Sequence, residues 1–378
     1  MRGSWKIGRI AKVPVSLHWS LVAIAFFLAW NLADVLLPDA HPGHSTSTYW
    51  ALGLAAAVLF FAAVLAHELG HAIVARRRGI SVEGIELWAL GGLARLGREP
   101  QTPGVEFSIA VAGPLVSLLS AGLFFGIESG LRAGSVQPVV VSTFAWLSAV
   151  NIFLAAFNVL PAAPLDGGRI LRAVAWKITG DRSRAVRMSA KAGQGLGYAL
   201  IAFGLWWVMT GSGPIMLPVV GWFLLNSARM EEVGARTEAA LLGKHVRDAT
   251  WFGVARASDA TDVATMLWQS GRMGPTRLVA VERFDGTLAG LVSEEQLRRV
   301  PEQERPLVRL AQIVIPMDEL AKANPDDSLI EAARRMNPRA PVLTVWDQGR
   351  LVGVVNADQF RRLIEDAKLP SGSRSTGR

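Results

Sequence analysis

The sequence predicts a polytopic α-helical membrane domain followed by a cytoplasmic α/β domain. Three observations carry this. The 378-residue chain is 51% hydrophobic and only 19% charged, against about 25% charged residues in a soluble domain. Six apolar runs, near 15–37, 49–75, 105–127, 138–160, 193–210 and 213–228, all lie in the first part of the chain, and about 20 apolar residues cross a bilayer. Beyond residue 240 charges become frequent, and strand-like and helix-like patterns alternate. The absence of cysteine excludes a disulfide framework, a thiol nucleophile and any Cys-ligated zinc or iron–sulfur site. A metal must therefore use His, Asp or Glu. The net charge of +8 fits Arg/Lys-rich cytoplasmic loops and anticipates no nucleic-acid partner.

The flanking charges set the expected topology. Residues 1–13 carry Arg2, Lys6, Arg9 and Lys12, and the loop 38–48 carries no Lys or Arg. The loop 76–104 carries Arg76, Arg77, Arg78, Arg95 and Arg98, the loop 128–137 only Arg132, and residues 169–192 seven basic side chains. This alternation places both termini in the cytoplasm, which six spans satisfy. The first run is longer than a signal-peptide core and is followed by no small-residue cleavage site, so it reads as a retained span. The last two runs are short, and Gly211-Ser212-Gly213 between them reads as a tight hairpin. The expected membrane domain covers 1–235.

The tail contains a repeat. Leu288–Arg299 matches Leu351–Arg362 with a period of 63 residues, each copy reading as a buried strand, a turn and an amphipathic helix. Two modules, 241–301 and 306–368, are expected to pack as one pseudo-symmetric domain. Residues 369–378 are rich in Ser, Gly and Arg and read as a disordered tail.

The strongest chemical signal is His67-Glu68-Leu69-Gly70-His71. Four residues is about one helical turn, so both imidazoles share a face and can grip a divalent ion. Glu68 lies one residue round, placed to act on a water rather than to bind the metal. Ionisable groups directly after an uncharged apolar span default to function. A third ligand must come from elsewhere. Asp166 is favoured over His18, His41, His44 and His245. It follows Asn158 and the helix-breaking Pro161 and Pro164, beside Gly167-Gly168. Alone, Asp166 reads as an Asx turn capping a helix near Arg169; beside the paired histidines it reads as a ligand. His41 and His44 read as a solvated loop, His18 as a structural or interfacial residue. The small residues near Gly113 read as a helix-packing contact.

These motifs resemble the site-2 protease family of intramembrane zinc metalloproteases. His67–His71 in a span, Gly91–Leu96 after it, Ala112-Gly113-Pro114 and Asn158–Gly168 occur in that family's order. The tail resembles a pair of cystathionine-β-synthase (CBS) modules, as in the bacterial and archaeal subgroup with such tails. The chain looks especially like actinobacterial members. The resemblance implies one zinc per chain on His67, His71 and Asp166, Glu68 as general base, and Asn158 positioning substrate or steadying an oxyanion. It implies cleavage of a single-span membrane protein, such as an anti-sigma factor, in the lipid bilayer of a bacterial plasma membrane. Gly91 and Gly92 would let an extended substrate approach as a strand. CBS pairs often bind adenine nucleotides through Gly, then Ser or Thr, then Asp at three-residue intervals. Here the copies read Gly290, Ser293, Gln296 and Gly353, Asn356, Gln359. Neither has the Asp, which favours a homodimerising or partner-docking module. Two other readings stand beside the protease: a CBS-regulated divalent-cation transporter, which needs a path of intramembrane acids, and an inactive scaffold, which the intact motif disfavours.

Overall fold

The computed structural model describes residues 4–89, 91–269, 277–337 and 340–366. The stretch 369–378 lies outside them. The chain divides into two compact units, Met1–Ala235 and Arg236–Arg378.

The first unit opens with strands where a loop and the start of a span were expected. β1 (Ser4–Ile10) and β2 (Val13–His18) form an antiparallel hairpin. Val13 and Val15 are buried, and this period of two, with Pro14 between them, suits a strand rather than a helix. The first span therefore starts at Trp19, not near residue 15. His18 caps it, its Nδ1 accepting from the Ser20 backbone N–H at 3.3 Å. The span runs as α1 (Trp19–Asn31), a π-helical turn (Leu32–Leu36) and α2 (Leu37–Ala40).

α3 (Thr46–Arg77) is 32 residues long. Ser45 caps its first turn, and Arg76 and Arg77 lie at its C-terminal end, where the helix dipole favours cations. β3 (Val82–Trp88) and β4 (Gly91–Leu96) follow as an antiparallel hairpin. The four strands make one sheet in the order β1-β2-β3-β4, so β4 is an edge. Glu86 on β3 is held by the Ser4 hydroxyl and by Arg95 at 2.5 Å. α4 (Pro103–Ala133) and α5 (Pro138–Val159) follow. α5 stops before Pro161, as expected. α6 (Asp166–Thr179), α7 (Arg182–Met209) and α8 (Met216–Leu241) complete the helices.

Among the described residues five helical segments are long and apolar enough to cross a membrane: 19–40, 46–77, 103–133, 138–159 and 182–209. Phe27, Leu119, Leu123, Phe153 and Trp206 stay outward-facing and exposed. Such apolar surface is stable against lipid, not water. The sixth expected run falls in α8. That helix passes directly into Arg229-Met230-Glu231-Glu232, and its apolar part is too short to count by the same measure.

In the second unit the repeat is visible as two sheets. One has the order β6-β7-β8-β9, the other β10-β11-β12-β5. α9 (Val246–Ala249), β5 (Trp251–Phe252), β6 (Ala255–Ser258), α10 (Val263–Trp268), β7 (Leu278–Glu282), β8 (Leu288–Ser293) and α11 (Glu294–Arg299) form the first copy. α12 (Leu310–Ile313), β9 (Ile315–Pro316), β10 (Ala321–Ala323), α13 (Leu329–Arg334), β11 (Val342–Asp347), β12 (Arg350–Asn356) and α14 (Ala357–Asp366) form the second. Each copy lends its short strand to the other's sheet: β5 pairs with β12 and β9 with β8. Leu278, Ala280 and Leu291 of one copy pack with Val342, Leu351 and Val354 of the other. No turn separates β8 from α11 or β12 from α14. Ser293 ends β8 and caps α11 directly, because a capping residue already has extended backbone.

Candidate metal centre and its cavity

His67 and His71 lie on the inner face of α3, and both are 5% exposed. Asp166, 8% exposed, is the first residue of α6. The cap position belongs to Leu165, and no side chain caps the helix, so Asp166 is not an Asx turn. Its Oδ2 instead faces His67 Nε2 at 3.2 Å and His71 Nε2 at 3.1 Å, and the two Nε2 atoms are 3.2 Å apart. Among the described residues this is the one group of three or more His, Cys, Asp or Glu side chains able to hold a metal ion.

The trio fits zinc. Tetrahedral zinc takes imidazole nitrogen and carboxylate oxygen at about 2.0–2.2 Å, and a tetrahedron of such bonds has edges of about 3.3 Å. The imidazoles are also turned the right way. His67 Nδ1 is 2.8 Å from Ser117 Oγ, and His71 Nδ1 is 2.7 Å from the Ile109 carbonyl oxygen. With Nδ1–H donating to these partners, Nε2 keeps its lone pair for a metal. Both partners lie on α4, which the sequence motif does not mention. Gly113 on the same helix makes room: a Cβ there would collide with His71 Nε2 and would lie 2.5 Å from His67 Nε2. The close packing expected near Gly113 is thus packing against the imidazoles themselves.

The trio opens on a cavity of about 550 Å³. Its polar lining includes Glu68, Asn158, Arg169 and Ser227; Val64, Trp88, Phe157, Phe223 and Leu224 are among its apolar walls. Glu68 lies beside His67 on α3 and packs over Gly92, where a Cβ would lie 2.6 Å from its carboxyl carbon. Gly92 is needed for that approach, and Gly91 takes φ +129° as β4 begins. Asn158 reaches the cavity from the last turn of α5, one Nδ2 hydrogen donating to the Leu154 carbonyl at 2.9 Å. The structure thus brings His67, Glu68, His71, Asp166, Asn158, Gly91 and Gly92 to one cavity.

Other expectations settle elsewhere. His41 Nε2 is 2.6 Å from Ser142 Oγ, and the His44 ring sits edge-on to Tyr49. In the second unit, Gln296 is spent locally: its Oε1 accepts from the Ser293 backbone N–H at 2.9 Å, and its Nε2 donates to the Ile313 carbonyl at 3.2 Å. Gln359 Oε1 likewise accepts from the Asn356 backbone N–H at 2.7 Å.

Sequence reasoning also missed a charge cluster beside the cavity. Glu106 is fully buried on α4 and pairs with Arg172 of α6, which also holds Glu231 of α8 at 2.8 Å. Glu106 stood out only as an acid in an apolar run. Its partner came from a distant segment. Glu128 is likewise paired, with Arg132 at 2.5 Å. These acids are paired and form no path of free carboxylates, which favours a fixed metal site over a conduit.

The profile of peptidase family M50 matches residues 55–132 and 126–204, and that of the CBS domain matches 311–366. Rip3 of Mycobacterium tuberculosis, which bears the name of a zinc metalloprotease, is 36% identical over 98% of this chain and 95% of its own length. A protein of Synechocystis with a zinc-metalloprotease name, sll0528, is 30% identical over 97% and 96%. The solved site-2 protease of Methanocaldococcus jannaschii is 28% identical, with a TM-score of 0.43, over 61% of this chain and 95% of that one. The M50 profile spans the histidine pair, the glycine that admits it and the aspartate facing it, and the Mycobacterium and Synechocystis relatives match over nearly the whole chain. The chain belongs to peptidase family M50 and is a multi-pass membrane zinc metalloprotease.

Proposed function

We propose that the protein hydrolyses a peptide bond within or near the transmembrane helix of a single-span membrane protein, such as an anti-sigma factor. The observation that carries this is the convergence of Asp166, at the start of α6, on His67 and His71, flanked by Glu68, on α3, a helix apolar enough to cross a membrane. In this reading the three side chains hold zinc, which when bound polarises a peptide carbonyl and acidifies water.

Glu68 takes the proton from the attacking water and returns it to the leaving amine. Its packing on Gly92 restricts its rotamers and keeps it beside the trio. Asn158 has one Nδ2 hydrogen engaged with Leu154; the second is available to the developing oxyanion. The apolar walls exclude bulk water, which strengthens both interactions. The free edge of β4 offers backbone groups to an extended substrate, Gly91 and Gly92 letting it come close.

The second unit serves as a regulatory or homodimerising module, since the residues at its nucleotide-signature positions are occupied in capping helices. Both termini lie in the cytoplasm, and the membrane is the bacterial plasma membrane.

The test compares membrane proteomes of cells carrying the parent or Glu68→Gln. The variant is expected to keep one zinc per chain while an uncut single-span protein accumulates, with kcat down on the order of 10²–10⁴. Cleavage at the parental rate by the variant would remove Glu68 from the mechanism. Identical proteomes would remove the substrate class.

A further inference from the structure

Arg169 lies three residues after Asp166 on α6 and lines the metal cavity. Its neighbour one turn on, Arg172, is fully engaged by Glu106 and Glu231. The Arg169 backbone N–H bonds the Leu165 carbonyl at 3.4 Å, but its side chain has no hydrogen bond and no ion pair to any described residue. The carboxylates of Asp166, Glu106 and Glu231 offset its charge from a distance, without meeting its five N–H donors. A guanidinium does not deprotonate, so those donors, met by no described side chain, are open to an acceptor that enters the cavity.

A transmembrane substrate brings the complementary shortage. Its backbone carbonyls are satisfied inside its own helix. The helix must unwind for a peptide bond to be attacked, and in an apolar cavity each freed carbonyl lacks a donor at a cost comparable to a lost hydrogen bond. Of the other polar groups here, the trio and Glu68 are acceptors or metal ligands, while Asn158, the Ser227 hydroxyl and the Trp88 indole each have one hydrogen to offer. Arg169 carries the largest set of open donors in the cavity.

We propose that Arg169 is a substrate-binding residue whose guanidinium holds backbone carbonyl oxygens of the unwound substrate segment beside the scissile bond. This rests on the proteolytic reading above. The fork geometry of arginine suits two oxygens of an extended peptide, which a lysine ammonium meets only as a point charge.

The experiment uses full-length protein in lipid and a synthetic single-span substrate. Zinc per chain is counted alongside cleavage for the parent, Arg169→Met and Arg169→Lys. Arg169→Met is expected to keep its zinc and lose on the order of 10- to 100-fold in kcat/KM, the range for charge-assisted hydrogen bonds, with Arg169→Lys between. Replacing a flanking amide oxygen by sulfur, a weaker acceptor, should slow the parent and add little further loss in Arg169→Met. In a Glu68→Gln background, which separates binding from chemistry, Arg169→Met should also reduce photocrosslinking of the substrate to the cavity.

If the parent cuts no single-span substrate, the proteolytic reading fails first. If the parent cuts and Arg169→Met cuts equally well, the role of Arg169 is overturned. The same follows if Arg169→Met loses its zinc, which would make it a support for α6. A loss confined to substrates with Asp or Glu at the cut would identify a side-chain carboxylate as the occupant and overturn the carbonyl assignment.

Discussion

The metal cavity and the cleft of the second unit are opposites in how they treat polar atoms. The cleft is larger, about 800 Å³ against about 550 Å³, and is lined by Ser293, Glu294, Gln296, Arg298 and Asp358, among others. Its side chains mostly answer one another: Arg298 pairs with Glu294 at 2.6 Å, Ser293 with Gln296, and Asn356 with Gln359. In the metal cavity the imidazole and carboxylate atoms face a common point, and the Arg169 side chain bonds none of the described residues. Unspent donors and acceptors are stored binding capacity, because a buried polar group without a partner is costly. Between these two cavities, size alone would favour the one without converging ligands.

The sharpest way to break this contrast is to spoil convergence without removing a ligand. Gly113→Ala drives a methyl group toward both Nε2 atoms and is expected to lower zinc per chain nearly as far as Asp166→Ala, with loss of cleavage. Full zinc in Gly113→Ala would mean that α4 can move aside and that the cradle is not rigid. Ser117→Ala removes only the partner of His67 Nδ1. Losing the hydrogen-bond partner of a ligating imidazole weakens metal binding by roughly 10- to 100-fold, measurable by competition with a chelator.

In the second unit the same logic predicts stability effects instead of ligand effects. Ser293→Ala removes a helix cap at about 1 kcal/mol, read as a lower melting temperature. Adenine nucleotide is expected to leave that temperature unchanged in parent and variant alike. A nucleotide-dependent rise would show that the capping bonds of Gln296 yield to a ligand.

The smallest effect concerns pH. The Asp262 carboxylate accepts from the Thr265 backbone N–H and hydroxyl, each at 2.8 Å. The backbone bond, and then the hydroxyl, hold its pKa below the ordinary carboxylate range. A pKa lowered by folding adds stability that is complete above the unfolded value of about 3.9 and is lost as pH falls through the lower folded value. Melting of the second unit should therefore drop below about pH 4, and slightly less so in Asp262→Ala. Because Asp262 is on the surface, salt should reduce the difference.

The sequence alone determined what is local. The i, i+4 histidines on an apolar helix, the helix break at Pro161, the order of apolar runs and the tail repeat all follow from spacing and residue type. The N-terminal hairpin was hidden because Val13 and Val15 merge into the apolar run that follows. The end of the last apolar run was obscured because α8 passes from lipid-like residues to charges without a break. Tertiary structure decided what is distant. Ser117, Ile109 and Gly113 matter because α4 packs on the face of α3 that carries the histidines. Asp166 is a ligand candidate and not a cap because α6 starts with its carboxylate facing that pair. Arg169 and Arg172 look alike in sequence, and only packing gave carboxylate partners to one and an open cavity to the other. Spacing along the chain fixes which side chains share a face, but what stands opposite that face is set by other segments.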